Sequence, residues 1–324
     1  MDVQQDSVSV VVPVYNGESS LVALLDRLER VLTAGARRFE VILVNDGSRD
    51  RSWQVIAREA AARHGVVGID LSRNYGQHNA LLCGIRAARY ECIVTIDDDL
   101  QNPPEAIPAL LERLAEGYDV VYGSPDREVH GFWRNVASQT TKLVIGDVLG
   151  ADTARHVCGF RAFRRDLRSA FQSYHGPAVN LDVLLTWATT RFSAVRVPHD
   201  ARRSGESNYT FITLTVHAVN MLIGFSVVPL QVATLLGFCL TVFGAILLVF
   251  VLARYAIQGV LVPGFTFLAS VIVIFSGAQL FTLGVIGEYL ARIHFRVMEK
   301  PSYSVRTCVG AAEAAPVKHE PARF

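Results

Sequence analysis

Two long, uncharged apolar runs near the C-terminus constrain the fold more than any other feature of the chain. They occupy residues 228–253 and 265–287, and neither contains a charged side chain. A helix of about 20 apolar residues is long enough to cross the hydrocarbon core of a bilayer. Because both runs are continuously apolar rather than striped, they predict two transmembrane helices, at about 228–254 and 264–287, rather than a pair of buried core helices.

The charged residues around these runs predict how the spans are oriented. Cytoplasmic flanks are enriched in Arg and Lys, and the link between the runs contains only Arg254. The outer flanks contain Arg202, Arg203, Arg292, Arg296, Lys300 and Arg306. We therefore expect a multi-pass protein of the inner (plasma) membrane whose main domain faces the cytoplasm. Small residues could pack the spans into a homo-oligomer, with lipid contact as the alternative; they are Gly237, Gly244 and Ala245.

An alternation of strand and helix patterns fills the first two thirds of the chain. Short apolar runs typical of buried strands occur at 8–12, 40–44, 66–71, 93–96 and 119–122. Stretches with helical spacing lie at 19–33, 52–63 and 80–89. This order predicts an α/β domain over residues 1–208, Rossmann-like and built on a mostly parallel sheet. No GxGxxG follows the first predicted strand, which disfavours a dinucleotide site.

The remaining segments are assigned by composition. Residues 209–226 are apolar but interrupted by polar side chains, which predicts an interfacial amphipathic helix, with a packed soluble helix as the alternative. Residues 227–288 contain the two spans, and 289–306 form a juxtamembrane segment. Residues 307–324 are rich in Ala, Pro and charge and predict a disordered tail.

Charge and cysteine content exclude several classes of function. The formal net charge is +1, so no global field gathers nucleic acid, and we expect no nucleic-acid partner. The five cysteines are widely separated and form no CxxC pair, which argues against a zinc site or a disulfide framework. A reducing, cytosolic location of the main domain follows. The polar first residues predict no cleaved signal peptide.

Three consecutive carboxylates follow the predicted strand at 93–96. Asp97 and Asp99 lie one residue apart where open α/β sheets bind ligands, and such a pair can hold a hard divalent ion whose other ligands are phosphate oxygens. The segment therefore suggests a clamp for a metal that carries a diphosphate. The alternative is a solvated acidic turn in which Asp99 or Asn102 caps the next helix.

Two other strand ends should lie at the same sheet edge. Asp46, in the turn after the second predicted strand, could accept hydrogen bonds from a base or from ribose hydroxyls. Tyr15, after the first strand, could stack on a base or form a hydrogen bond to it. The alternatives are an aspartate that bonds its own turn and a tyrosine packed on the sheet.

At these residues the chain resembles a known family. PVYNGE, VNDGS, LSRNYGQ and DDDLQNPPE are similar to motifs of family 2 glycosyltransferases of the GT-A fold. Together with RSGESNY at 203–209 and the two spans, they resemble the polyprenyl-phosphate glycosyltransferases. That group includes dolichol-phosphate mannose synthases, bactoprenol glucosyltransferases and undecaprenyl-phosphate formamido-arabinose transferases. The resemblance extends to about Tyr303.

The resemblance implies roles for individual residues. The residues implied to bind the nucleotide are Pro13, Tyr15, Glu18, Asp46, Ser48, Arg73 and Asp98. Those implied to act in catalysis are Asp97, Asp99, Gln101, Arg127 and Arg134, with Asp97 and Asp99 binding Mg²⁺ or Mn²⁺. Those implied to bind the acceptor phosphate are Arg127, Arg134, Ser138 and Arg202. Arginine suits that task because its guanidinium presents a fixed fork of donors to a phosphate.

The sequence also departs from the family pattern. Many relatives read GDFRL where this chain has Cys158 to Ala162, so Gly159 replaces the acid of that motif. Glu18 is displaced by one position, and Asn208 replaces a lysine. Asp182 could substitute as an acid near the sugar, although a structural aspartate is the favoured interpretation.

The expected activity is metal-dependent, inverting transfer of a sugar from a UDP- or GDP-linked donor, with UDP favoured, to polyprenyl phosphate at the cytoplasmic leaflet. One alternative is a glycosyltransferase that acts on a lipid or polysaccharide hydroxyl, which requires a general base. The other is a catalytically silent membrane partner that binds nucleotide sugar. The sequence names neither the sugar nor the length of the polyprenyl chain.

Overall fold

A computed structural model describes residues 7–35, 38–125, 157–174, 179–198, 228–258, 264–298 and 301–310. The chain divides into two compact units. The first combines residues 1–210 with 300–324, and the second covers residues 211–299. The predicted interfacial helix at 209–226 lies outside the described residues.

The first unit is built around one eight-stranded sheet. Its strands are β1 (Ser7–Val14), β2 (Arg38–Asn45), β3 (Val66–Leu71), β4 (Cys92–Thr95), β5 (Val120–Pro125), β6 (Arg161–Arg164), β7 (Phe192–Val197) and β8 (Val305–Gly310). They lie in the order β7-β5-β6-β4-β1-β2-β3-β8. The central strands β4, β1, β2 and β3 are mutually parallel, whereas β6 and β8 run antiparallel to their neighbours. The predicted α/β class with a mostly parallel sheet is confirmed.

In the described part of the first unit, five helices cover the sheet, and their apolar stripes form the core. They are α1 (Leu21–Ala34), α2 (Ser52–Ala62), α3 (Gln77–Ala87), α4 (Ile107–Ala115) and α5 (Leu181–Ala188). Short 3₁₀ turns lie at Pro104–Ala106 and Arg165–Ala170. The stripe of α1 shows why the segment is helical: its buried leucines recur every three or four residues, at Leu21, Leu24, Leu25, Leu28 and Leu32.

The C-terminal residues differ from the predicted disordered tail. Residues 305–310 form β8, which pairs antiparallel with β3 and ends one edge of the sheet. Tyr303, just before it, is buried, and its ring lies 5.6 Å from the Arg86 guanidinium. The prediction of disorder from residue 307 is therefore wrong for 307–310, because pairing with β3 satisfies their backbone groups whatever their composition. Residues 311–324 lie outside the described chain.

The second unit contains α6 (Val228–Gln258) and α7 (Gly264–Val297). Each includes a stretch long and apolar enough to cross a membrane, at Leu230–Arg254 and at Ile274–Ala291. Gly244, one of the small residues named above as possible packing positions, faces the other helix of the same chain. A Cβ at Gly244 would lie 2.9 Å from Phe275 Cζ, so this glycine lets α6 and α7 approach within one chain.

Gly84 lets α3 approach β1 and yields a stability prediction. A Cβ at Gly84 would lie 2.4 Å from Val11 Cγ1. We expect Gly84→Ala to lower the free energy of unfolding by about 1–3 kcal/mol, as overpacking of a filled core does. Thermal unfolding in detergent measures the change. Adding Val11→Ala removes the obstructing methyl, so the double variant should be less destabilised than the sum of the single changes; strict additivity would contradict the packing argument.

Candidate active site

The carboxyl ends of β1, β2, β3 and β4 meet at one edge of the sheet, because these strands are parallel. Four segments follow the strands there, at residues 15–20, 46–51, 72–76 and 96–103. They include the predicted site residues Tyr15, Glu18, Asp46, Ser48, Arg73, Asp97, Asp98, Asp99 and Gln101. The topology thus gathers at a single edge most of the residues that the sequence singled out.

The acidic segment after β4 is held by contacts from several directions. Gln77 Nε2, at the start of α3, donates to Asp97 Oδ1 at 2.7 Å. The Gln101 backbone N–H donates to Asp99 Oδ1 at 3.1 Å, which closes a tight turn around Leu100. Leu100 is buried and adopts φ 61°, a conformation that costs energy for a side chain of this size. The backbone conformation of this turn is therefore imposed by contacts with the rest of the fold, because leucine itself disfavours a positive φ.

Asp98 is partly buried as a residue, and its carboxylate is turned away from solvent. Its carboxylate accepts a hydrogen bond from the Tyr15 backbone N–H, while Oδ2 is buried with no hydrogen-bond partner in the described part of the chain. Burial raises the pKa of Asp98 to about 7, with further increases from the charges of Asp97 and Asp99. A Cβ at Gly17 would lie 2.2 Å from Asp98 Oδ2, so the absence of a side chain at Gly17 makes room for this carboxylate.

Asp46 joins the end of β2 to the segment that follows β3. Its Oδ1 accepts from the Tyr75 N–H at 2.7 Å and its Oδ2 accepts from the Gly76 N–H at 2.8 Å. Burial raises the pKa of Asp46 above its ordinary value, and the two amide donors oppose that shift. Gly47 packs on the same segment with φ 65°, where a Cβ would lie 2.5 Å from the Asn74 nitrogen. Asp46 therefore bonds a neighbouring loop, not its own turn.

The segments after β1 and β2 interlock through hydrogen bonds between side chains and backbone. Asn16 N–H donates to Ser48 Oγ at 3.0 Å, and Asn16 Oδ1 accepts from the Arg49 N–H at 2.9 Å. Glu18 Oε2 accepts from the Arg51 N–H at 3.2 Å. Ser48 and Glu18, which the family resemblance assigned to the nucleotide, thus also hold the two loops together.

Aromatic and basic groups lie beside this framework. The side chain of Tyr15 is 47% exposed, which leaves its ring accessible for stacking and excludes a tyrosine packed fully on the sheet. The Arg73 guanidinium lies 4.6 Å from the centre of the Tyr75 ring, within cation–π range. Pro13, by contrast, is buried within β1, where it pairs with Val44.

Asp182 belongs to a buried charge cluster behind the acidic segment. It forms an ion pair with Arg161 and accepts a hydrogen bond from the Tyr122 hydroxyl at 3.0 Å. Burial by itself lowers the pKa of Arg161, but Asp182 and neighbours that include Asp97 raise it above its ordinary value. Asp182 is thus a structural aspartate, in agreement with the favoured interpretation of the sequence.

Gly159 faces the acidic segment directly. The Gly159 carbonyl accepts a hydrogen bond from Thr95 Oγ1 at 2.7 Å, and a Cβ at this position would lie 2.7 Å from Asp97 Oδ2. At the position where the family resemblance led us to expect an acid, this chain therefore has backbone packed against the carboxylate of Asp97.

Some predicted residues cannot be placed at the edge. Arg127, Arg134, Ser138 and Arg202 lie outside the described residues. Conversely, Gln77 holds Asp97, yet sequence reasoning assigned it no role. Gln77 is part of the quoted LSRNYGQ motif, which was the available signal.

The donor atoms at the edge fit a divalent metal ion bound together with phosphate. Asp97 and Asp99 offer hard carboxylate oxygens, and their proximity to Asp98 concentrates negative charge that a cation would offset. Within the described residues, no group of three or more His, Cys, Asp or Glu side chains could hold a metal ion.

A parallel α/β sheet that presents carboxylates and interlocked loops at its carboxyl edge is the architecture in which open α/β proteins bind their ligands. The model of the family described as "Glycosyl transferase family 2" matches residues 9–171. The chain belongs to that family and is a glycosyltransferase.

Similar proteins carry one recurring name. A chain from Pseudomonas paraeruginosa is 37% identical over 96% of this chain and 92% of its own length. Another, from Pectobacterium carotovorum subsp. carotovorum, is 36% identical over 94% of each chain. Both are named undecaprenyl-phosphate 4-deoxy-4-formamido-L-arabinose transferase.

Solved structures agree in fold. Glucosyl-3-phosphoglycerate synthase from Mycobacterium tuberculosis, in complex with Mn²⁺, UDP-glucose and phosphoglyceric acid, superposes with a TM-score of 0.52 at 20% identity, over 67% of this chain and 77% of that one. Its complex with Mn²⁺, UDP and phosphoglyceric acid gives 0.51 at 19% identity, over 67% and 76%. The predicted GT-A fold is confirmed.

The desolvated carboxylate of Asp98 predicts how stability depends on pH in metal-free protein. Because its pKa is about 7 in the folded chain and ordinarily 3.8, the folded state holds a proton that the unfolded chain releases between those values. Its contribution to stability therefore decreases as pH rises from about 4 to 7 and stays lost above 7. Asp98→Asn, which cannot ionise, should gain stability relative to the native protein as pH rises from 5 to 8. Thermal unfolding in EDTA tests this; a difference that is the same at both pH values would contradict it.

The close approach at Gly159 predicts an effect on activity without a matching effect on stability. In Gly159→Ala, the added methyl displaces the carboxylate of Asp97, because an oxygen at the end of a side chain yields before backbone does. We expect kcat/KM for transfer to decrease about tenfold or more, since small misplacements at a reacting centre are costly. The melting temperature should change little. Native activity in the variant would show that the position of Asp97 is not critical.

Proposed function

We propose that this enzyme transfers a sugar from a nucleoside diphosphate sugar, with UDP favoured over GDP, to undecaprenyl phosphate. The observation that carries the proposal is similarity over nearly the whole length to chains named for that acceptor, at 37% identity. The carboxylate edge supports it, because the donor's diphosphate needs compensation of charge where the sugar leaves.

The donor's nucleoside fits the segments that Asp46 joins. Tyr15 offers an exposed ring for the base, and Arg73 lies in the loop after β3, against the ring of Tyr75. Asp46 holds this loop in place by accepting hydrogen bonds from the backbone N–H groups of Tyr75 and Gly76. Because a carboxylate oxygen has more than one lone pair, Asp46 could still accept a hydrogen bond from a ribose or base donor.

Asp97 and Asp99 would hold a divalent ion, Mg²⁺ or Mn²⁺, and Gln77 orients Asp97 for that task. When bound, the ion would neutralise charge on the departing diphosphate. The complexes of glucosyl-3-phosphoglycerate synthase contain Mn²⁺ with UDP or UDP-glucose, which makes Mn²⁺ the first ion to test.

The acceptor needs no general base, because a phosphate monoester is already an anion at neutral pH. Its oxygen forms a bond to the anomeric carbon while the bond from that carbon to the diphosphate oxygen breaks, and the nucleoside diphosphate leaves. Displacement on the opposite face inverts the anomeric configuration. Catalysis then rests on alignment and electrostatic stabilisation. Arg127, Arg134, Ser138 and Arg202 remain the proposed ligands of the acceptor phosphate, on the family resemblance.

The connectivity of the sheet supports two membrane crossings. β7 precedes the apolar helices in the chain and β8 follows them, yet both belong to one sheet. Between them the chain must therefore cross a membrane an even number of times, as two spans at α6 and α7 would. We place the catalytic unit in the cytoplasm, at the inner membrane, on the basic flanks of the spans.

Incubation of the purified protein with undecaprenyl phosphate, Mn²⁺ or Mg²⁺ and labelled UDP- and GDP-sugars tests the proposal. The names of the relatives make the 4-deoxy-4-formamido-L-arabinose donor the first candidate. We expect label in the organic phase from one donor, and its loss in EDTA. Transfer to a lipid hydroxyl instead would move the assignment to the other acceptor class, and binding of a donor with no product would indicate a silent partner.

The acidic pair predicts a selective loss of catalysis. Asp97→Asn and Asp99→Asn should each lower kcat by about a hundredfold or more at saturating Mn²⁺, because a group that stabilises transition-state charge is removed. Glu112→Gln, which changes an exposed carboxylate on α4, is the matched control and should retain native activity. Native rates in Asp99→Asn would exclude the metal clamp.

A further inference from the structure

The segment that follows the second apolar helix contacts the loop after β3, residues 72–76, and is linked through Asp70 and Asn45 to the turn after β2, residues 46–51. These two segments are the walls of the proposed donor site. Ser72 N–H donates to the Ser304 carbonyl at 2.9 Å, and Arg306 Nη2 donates to the Ser72 carbonyl at 2.7 Å. Ser72 directly precedes the stretch whose amides bind Asp46. Residues 304–306 therefore fix the first residue of the loop after β3, which also contains Arg73 and Tyr75.

Arg306 is linked to the turn after β2 through the buried carboxylate of Asp70. Arg306 Nη1 lies 3.4 Å from Asp70 Oδ2, and Asp70 Oδ1 accepts from Asn45 Nδ2 at 2.7 Å. Asn45 is the last residue of β2, directly before Asp46, and its Oδ1 lies 3.4 Å from the Ser48 nitrogen. A continuous chain of polar contacts thus runs from Arg306 to the turn that contains Asp46 and Ser48.

The backbone directs Arg306 to this task. Asp70 pairs with Thr307 and Leu71 pairs with Val305, so Arg306 is the extra residue of a β-bulge. Bulges re-aim side chains and recur beside active sites. Asp70 itself is only 4% exposed, and a buried carboxylate needs a cation or hydrogen-bond donors to offset its loss of hydration.

We infer that Arg306, Asp70 and Asn45 are positioning residues for the nucleotide, so that the segment after the second apolar helix completes the donor pocket. The inference rests on the proposed function, because it takes these walls as the place where a nucleoside diphosphate binds. Arg306 does not touch the donor in this scheme; it orients Asp70, which fixes Asn45 and the turn after it.

The test measures binding of UDP and of GDP, each with MnCl₂, to the full-length protein in detergent by calorimetry. Arg306→Ala should raise the Kd of the nucleotide about fivefold, the effect of losing one hydrogen bond of a supporting network. Arg306→Lys, which keeps the charge, should recover part of the affinity. Thr307→Ala, an exposed neighbour on the same strand, should bind as the native protein does.

A double variant separates a positioning chain from general damage. If Arg306 and Asp70 act as one unit, Arg306→Ala combined with Asp70→Asn should bind no more weakly than the poorer single variant. In transfer assays, KM for the donor should rise while kcat and KM for undecaprenyl phosphate stay near native values. A general loss of folding would instead lower the melting temperature and the active fraction without this split.

The outcomes distinguish this inference from the proposed function. Native protein that binds neither UDP nor GDP would overturn both. Native binding together with an unchanged Kd in Arg306→Ala would overturn the inference alone. Strictly additive effects of the two changes, or an equal loss in Thr307→Ala, would also overturn it.

Discussion

The crowding of three carboxylates after β4 is the constraint on which the rest of the site depends. Burial of the Asp98 carboxylate disfavours its ionisation and raises its pKa to about 7, and repulsion from Asp97 and Asp99 adds to that increase. The surrounding elements compensate. Gln77 binds Asp97, the Tyr15 amide binds Asp98, and the buried Arg161 contributes a nearby positive charge. The fold thus maintains a concentration of negative charge that a cation with a diphosphate would relieve.

Much of the fold could be predicted because parallel strands leave a clear signal. Buried on both faces, they read as continuous apolar runs, and each predicted run coincides with one of β1 to β5. The short strand β6 contains arginines, and β8 lies in a segment whose composition suggests disorder. Their backbone groups are satisfied by partners far away in the chain, at β4 and β3. Local composition carries no information about such partners.

The site was predictable in part for a related reason. Asp46, Asp97 and Asp99 follow strand ends, so topology alone places them at one edge. The hydrogen-bond partners of these aspartates could not be predicted from the positions of residues in the sequence. Asp46 holds a loop about 30 residues away through backbone amides, which every residue possesses, so no side-chain pattern announces the contact. The role of Gln77 likewise depends on the distance between α3 and the acidic turn, which only the packed structure fixes.

The return of the chain as β8 makes the sheet depend on residues that follow the two apolar helices. A sheet edge left open at β3 would expose unpaired backbone groups, and β8 can cover it only after α6 and α7 have been synthesised. The same strand brings Arg306 to Asp70, and thereby to the turn that carries Asp46. A chain truncated before residue 301 would therefore lose both the strand that pairs with β3 and the contacts of Arg306 with Asp70 and Ser72. The α/β unit and its last strand are one folding unit, although two apolar helices separate them in sequence.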